Sequence, residues 1–217
     1  MINLNLSSNN NYSLEAISTK LYVKYMVCLR DKLILKSVLD KQGLNYRITV
    51  HEAIEFLEEI TKDQFNEIKA GLSNSGLILL DKKESMVIDR IINTIIEVVH
   101  YTDTLPKLTF RDIFSEHTIS NEDAILKIFS DVTGMSVMQF IVIQKIERAK
   151  ELMLYEDMPL PDIAELLNYK NEDLLVAQFK KITGLTPAFF LRLKKKRMRI
   201  SKKYITTTQS GTVGANS

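Results

Sequence analysis

The sequence predicts an α+β chain, a small β-α-β-β-α-β unit followed by an all-α region. Three observations carry this reading. Short runs rich in β-forming residues alternate with helical stretches up to Asp81, the spacing from Glu84 onward is helical throughout, and part of the helical half repeats at an interval of 50 residues. The 217 residues suffice for two small domains. The expected divisions are a flexible start over 1–19, a regulatory or dimerising domain over 20–82, an all-α domain over 83–200 and a flexible basic-to-polar tail over 201–217.

In the first half, LYVKYMVC (21–28) alternates and reads as a strand. RDKLILKSVLDKQG (30–43) places Leu33, Leu35, Val38 and Leu39 near helical spacing and stops on a glycine. NYRITVHEAIEFLEEI (45–60) alternates as two short strands turning near His51 to Ala53. TKDQFNEIKAGLSNSG (61–76) is a helix with Thr61 as its N-cap, and LILLD (77–81) is a short buried strand. This order suggests a split βαβ, ferredoxin-like sandwich.

The second half opens with SMVIDRIINTIIEVVHY, whose paired apolar positions make a broad stripe with two readings, packing within its own domain first and a coiled-coil dimer seam second. Shorter helices are expected around 108–115, 121–132, 136–155, 161–167, 171–182 and 187–199. Pro159 and Pro161 punctuate one connection, and Pro187 suits the first turn of the last helix.

Sliding the chain by 50 residues lays Asn121-Glu122-Asp123 on Asn171-Glu172-Asp173, Asp112-Ile113 on Asp162-Ile163, and Phe129 on Phe179. Thr133-Gly134 falls on Thr183-Gly184, Ser136 on Thr186, and Phe140 on Phe190. Each copy reads as a short helix, a turn, a second helix, a glycine stop and a capped third helix. Two short helices with a tight turn form a helix-turn-helix, whose second helix can enter a major groove.

With these motifs the chain resembles the AraC/XylS family of bacterial transcription regulators. KIERAKELM, DIAELLNY and QFKKITGLTPAFF carry the resemblance in the second copy, and FRDIFSE with ILKIFSDVTGMSVMQFI in the first. The resemblance covers about Glu84 to Arg199. It implies a seven-helix, double helix-turn-helix domain with two recognition helices in successive major-groove segments.

Helix geometry selects the candidate DNA-facing residues. Ile125, Ile128, Phe129, Leu175 and Phe179 face the core, leaving Asp123, Leu126 and Lys127 outward in copy one. In copy two the outward residues are Asp173, Val176, Ala177 and Lys180. Lys127 can donate to a phosphate or a guanine edge, and Val176 or Ala177 can touch a thymine methyl. Asn121, Asp123, Asn171 and Asp173 have two readings, as caps and first-turn acids or as acceptors for cytosine and adenine amino groups. Further phosphate-contact candidates are Lys170, Lys181, Arg148, Arg192, Lys194, Lys195, Lys196 and Arg197. Arg148 has a second reading, an internal ion pair with Glu147, Glu151 or Asp162.

Charge supports a polyanion partner. Residues 191–217 carry eight basic and no acidic side chains, in a chain whose formal net charge is only +2. The expected partners are double-stranded DNA, a second copy through the front domain, and an effector of unspecified kind. No membrane partner is expected, because no apolar run approaches about 18 residues. One cysteine and no leader-like start suit a cytoplasmic protein. No phosphate loop, nucleophile elbow or metal-ligand spacing is present, so no enzyme activity and no cofactor are expected. The alternative function is a protein-interaction module with weakened DNA binding, suggested by the negative charge of residues 104–190 and the absence of Arg on both recognition faces.

YMVCLRDKL at the first strand-to-helix junction resembles the M-x-C-x-x-C loop of heavy-metal-associated domains. Met26 and Cys28 fit, but Asp31 stands where the second cysteine belongs. One thiolate beside a carboxylate is a poor soft-metal set, so Cys28 and Asp31 mark a degenerate metal loop with no metal expected.

Overall fold

The computed structural model describes residues 20–102 and 122–210, with side chains to Ser201. The expected helix at 108–115, with Asp112 and Ile113, lies outside the described residues, as do Asn121, the start over 1–19 and the end over 211–217. The chain divides into two compact units, one running to Val87 together with Asp131–Gly134, the other comprising the remainder.

The front unit contains β1 (Lys20–Leu21), β2 (Val23–Lys24), α1 (Leu29–Lys41), β3 (Tyr46–Ile48), β4 (Ile54–Phe56), α2 (Lys62–Ser73) and β5 (Ile78–Leu79). All strand pairs are antiparallel: β4 lies between β1 and β3, and β2 pairs with β5. The expected single strand 21–28 is therefore two short pieces that change partner at Tyr22. The Tyr22 carbonyl accepts from Leu80 N–H at 2.9 Å, and its own N–H donates to the buried Ser85 hydroxyl at 3.2 Å. The strand ends at Lys24 because Tyr25 turns into the left-handed region, φ 67°.

One face of these strands presents Leu21, Val23, Ile54, Phe56 and Leu79 to Leu35, Leu39, Ile68 and Leu72 of the two helices. Each such side chain contributes about 1.5–3 kcal/mol through burial, which makes this cluster the principal stabiliser of the unit. β4 is buried on both faces, and Glu55 on its other side is held by an ion pair with Arg47. Thr61 caps α2 reciprocally with Gln64: its hydroxyl accepts from Gln64 N–H at 3.1 Å, and Gln64 Oε1 accepts from Thr61 N–H at 2.9 Å.

The helical half contains α3 (Lys82–Tyr101), α4 (Glu122–Thr133), α5 (Val137–Tyr155), α6 (Leu160–Leu166), α7 (Glu172–Thr183) and α8 (Pro187–Ser210). The unit division at Val87 falls inside α3, a few residues beyond the expected boundary, because Ser85 in its first turn bonds back to Tyr22. The remaining α3 stripe, Ile88, Ile91, Ile92, Ile95 and Val99, is buried. Helix α8 continues to Ser210 rather than ending near Arg199, since neither glycine nor proline occurs between Pro187 and Gly211. No single helix among the described residues is long and apolar enough to cross a membrane.

Candidate nucleic-acid interface

The second half of the repeat shows how sequence builds a helix-turn-helix. Pro159 precedes α6, Pro161 lies in its first turn, and the helix ends after seven residues. Asn168 then takes a left-handed conformation, φ 54°, which asparagine tolerates better than most residues. Tyr169 N–H bonds back to the Ala164 carbonyl at 2.8 Å, and the Asn171 side chain opens α7 by accepting from Leu174 N–H at 3.0 Å. Ile163, Ala164 and Leu167 on one side and Leu175 and Phe179 on the other close on Ile146, Ala149, Leu152 and Met153 of α5. Helix α7 is thereby fixed by its inner face, with Asp173, Ala177, Lys180 and Lys181 exposed.

The second helix of this construction, its glycine stop and the capped helix after it recur fifty residues earlier. Phe129 of α4 meets Phe140 of α5 edge-on, with centroids 5.8 Å apart, and Phe179 of α7 meets Phe190 of α8 edge-on at 5.6 Å. Gly134 and Gly184 both end their helices with positive φ, 70° and 74°. Ser136 caps α5 by accepting from Gln139 N–H, and Thr186 accepts from Phe189 N–H at the start of α8. In α4 the exposed side chains include Asp123 and Lys127, with Phe129 buried. Leu126 and Val176, expected to face outward, are both half-buried, because each stands three residues before its core phenylalanine and flanks the packed face.

The candidate cations divide into two groups. Lys127, Lys170, Lys180, Lys181, Arg192, Lys195, Lys196 and Arg197 are exposed. Arg192 lies over the Phe189 ring at 5.2 Å, which stiffens its stem and leaves the guanidinium at the surface. Arg148 and Lys194 are engaged within the fold. Arg148 reaches Glu151 and Glu156, each at 3.3 Å, the internal reading anticipated for Glu151. Lys194 donates to Asp157 at 2.6 Å and to the Met153 carbonyl at 3.1 Å. Glu151 also faces His100, whose Nδ1 is 3.2 Å away, while His100 Nε2 is 3.2 Å from Gln144 Oε1. This network ties α3 to α5.

One cation was not picked out from sequence. Lys145 of α5 lies over the Tyr169 ring, 5.3 Å from its centroid, and joins α5 to the turn before α7. Burial holds the Lys145 ammonium below the usual lysine range and pushes the Tyr169 phenol up to about 12. No sequence pattern signals this pair, because its members lie 24 residues apart on different elements.

At the front-unit loop, Asp31 turns back on the chain. Its carboxylate accepts from Val27 and Cys28 N–H, both at 2.9 Å. The Cys28 side chain and these two N–H groups hold Asp31 below the usual carboxylate range. In the position of the absent second cysteine, Asp31 thus serves as a helix cap.

The helix-turn-helix domain family matches residues 115–193. Among curated proteins of Bacillus subtilis (strain 168), the uncharacterized HTH-type transcriptional regulator YtdP is 30% identical over 103 residues, covering 48% of this chain and 13% of that protein. The uncharacterized transcriptional regulatory protein YesN is 30% identical over 89 residues, covering 40% of this chain and 24% of that protein. The matched regions therefore span less than a quarter of each relative's length. Two solved structures are also similar. The C-terminal domain of AraT, a response regulator from Geobacillus stearothermophilus, is 20% identical over 51% of this chain and 88% of that chain, with TM-score 0.42. A DNA-binding transcriptional dual regulator from Escherichia coli K-12 is 18% identical over 54% of this chain and 96% of that chain, with TM-score 0.40. The family match over residues 115–193 takes in α6 and α7, two short helices joined by a tight turn.

Proposed function

We propose that this chain is a sequence-specific DNA-binding transcription regulator of the AraC type, with α4 and α7 as paired recognition helices in successive major-groove segments. The observation that carries the reading is the duplicated aromatic lock, Phe129 on Phe140 and Phe179 on Phe190. It gives α4 and α7 the same support and leaves corresponding faces outward. Phosphate contacts supply most of the affinity, through Lys127, Lys170, Lys180, Lys181, Arg192, Lys195, Lys196 and Arg197. Ala177 and Val176 read thymine methyls, and Asn171, Asp123 and Asp173 serve first as cap and first-turn groups.

The front unit is read as a ferredoxin-like sandwich that pairs chains or senses an effector, supported by its element order and its wholly antiparallel partners. A second reading has a specific observation behind it. Glu122, Asp123, Glu172 and Asp173 are all exposed at the starts of α4 and α7, where they repel phosphate, while Val27, Leu29 and Leu33 expose apolar surface on the front unit. On that reading the chain acts through a protein partner and holds DNA weakly. Selection of binding sites from random DNA by the full chain separates the two. A recovered consensus with two half-motifs about one helical turn apart supports the regulator reading; recovery of no motif at low salt rejects it.

A further inference from the structure

Where α5 ends and α8 passes over it, the helical unit holds a cavity of about 380 Å³ that the DNA-binding reading does not use. Leu154, Tyr155 and Met198 give it apolar walls, and Asp157, Lys194, Arg197 and Ser201 bring polar groups to it, with the Asp157 carboxylate taken up by Lys194. Its volume lies at the small end of the range for small-molecule sites, about 300–1,000 Å³.

The charges around it point to the sign of an occupant. The Lys194 ammonium is already held by Asp157 at 2.6 Å and by the Met153 carbonyl at 3.1 Å. Arg197 makes no ion pair among the described residues, and every other charged side chain of α8 is basic. The cavity therefore has one uncommitted guanidinium beside an apolar wall. A guanidinium pairs with a planar carboxylate through two parallel N–H donors, and the apolar wall favours a hydrocarbon body over a bare ion.

We propose that this cavity is a binding site for a small amphipathic carboxylate, with the acid group on Arg197 and the apolar body against Leu154, Tyr155 and Met198. The site shares Arg197 with the DNA-binding reading, but carboxylate binding does not depend on that reading and is tested in the absence of DNA. Its occupant neutralises one of the cations that reading assigns to phosphate, so bound carboxylate also weakens DNA binding.

The test titrates the full chain with decanoate by calorimetry, alongside decanol and acetate, which carry the body and the charge separately. Decanoate is expected to bind saturably with one site per chain, at least about tenfold tighter than decanol, with acetate showing no binding. Arg197→Gln is expected to weaken decanoate at least about tenfold and leave decanol unchanged. Ser201→Trp, at an exposed position, is expected to block both. If Ser201→Trp fails to fold, the decanoate-to-decanol ratio in Arg197→Gln decides alone. Equal affinity for decanoate and decanol, no saturable binding, or decanoate binding unaffected by Arg197→Gln overturns the proposal.

Discussion

The ring of Phe179 meets that of Phe190 at a centroid distance of 5.6 Å and an interplanar angle of 67°, joining α7 to α8. Phe179 is fully buried, so truncation leaves a cavity as well as losing the ring contact. Phe179→Ala is expected to destabilise the helical unit by about 3–5 kcal/mol, read by denaturant unfolding. Phe129→Ala is expected to act comparably, because its ring meets Phe140 in the same way. A loss below about 1 kcal/mol at both positions would show that the duplicated lock does not hold the recognition helices.

Arg148 and Glu151 test whether a linker-helix arginine serves the fold or the DNA. With Glu151 and Glu156 each 3.3 Å from its guanidinium, Arg148→Met is expected to cost about 1–2 kcal/mol of stability, discounted for partial exposure. The salt dependence of DNA binding should stay unchanged. A slope smaller by about one unit in the variant would place Arg148 on a phosphate instead.

The Asp31 cap gives the front unit a pH signature. Its carboxyl is held below the usual range by the Cys28 side chain and the Val27 and Cys28 N–H groups, so its folded value lies below the unfolded one. The stabilisation is complete above the unfolded value, about pH 3.9, and is lost as pH falls through the folded value. Asp31→Ala should therefore lower the melting temperature at pH 7, with the difference from wild type shrinking below about pH 3.9. A difference independent of pH would remove the ionised cap.

The acids at the starts of α4 and α7 are expected to act on stability. Asp123→Asn and Asp173→Asn each remove a charge that suits a positive helix end, worth about 0.3–1 kcal/mol. The expected outcome is a lower melting temperature with an unchanged consensus site. A changed base at the position facing either residue would make it a reader of cytosine or adenine.

Much of this organisation was legible in local chemistry. Thr61 and Asn171 declared their caps by residue type and by the helix-forming residues after them, and the Phe and Thr-Gly positions announced the repeat. Legibility failed where the deciding interaction joined distant segments. The first strand is split because Tyr22 bonds to both Leu80 and Ser85, and Lys194 is drawn inward by Asp157, 37 residues away. Helical period alone puts Leu126 and Val176 outward. They are half-buried because the width of the packed face depends on neighbouring helices, which a period does not encode.

The central claim is that this chain binds DNA chiefly through phosphate contacts made by exposed cations. The most direct measurement is the salt dependence of its affinity for a selected site, comparing wild type with a variant carrying Lys181→Gln, Lys195→Gln and Lys196→Gln. These residues are exposed, so the variant spares the fold where truncation at 191 would remove Leu191 from the core. A slope of log affinity against log salt that falls by about one unit per lost phosphate contact is the predicted result. An identical slope in both proteins would contradict it.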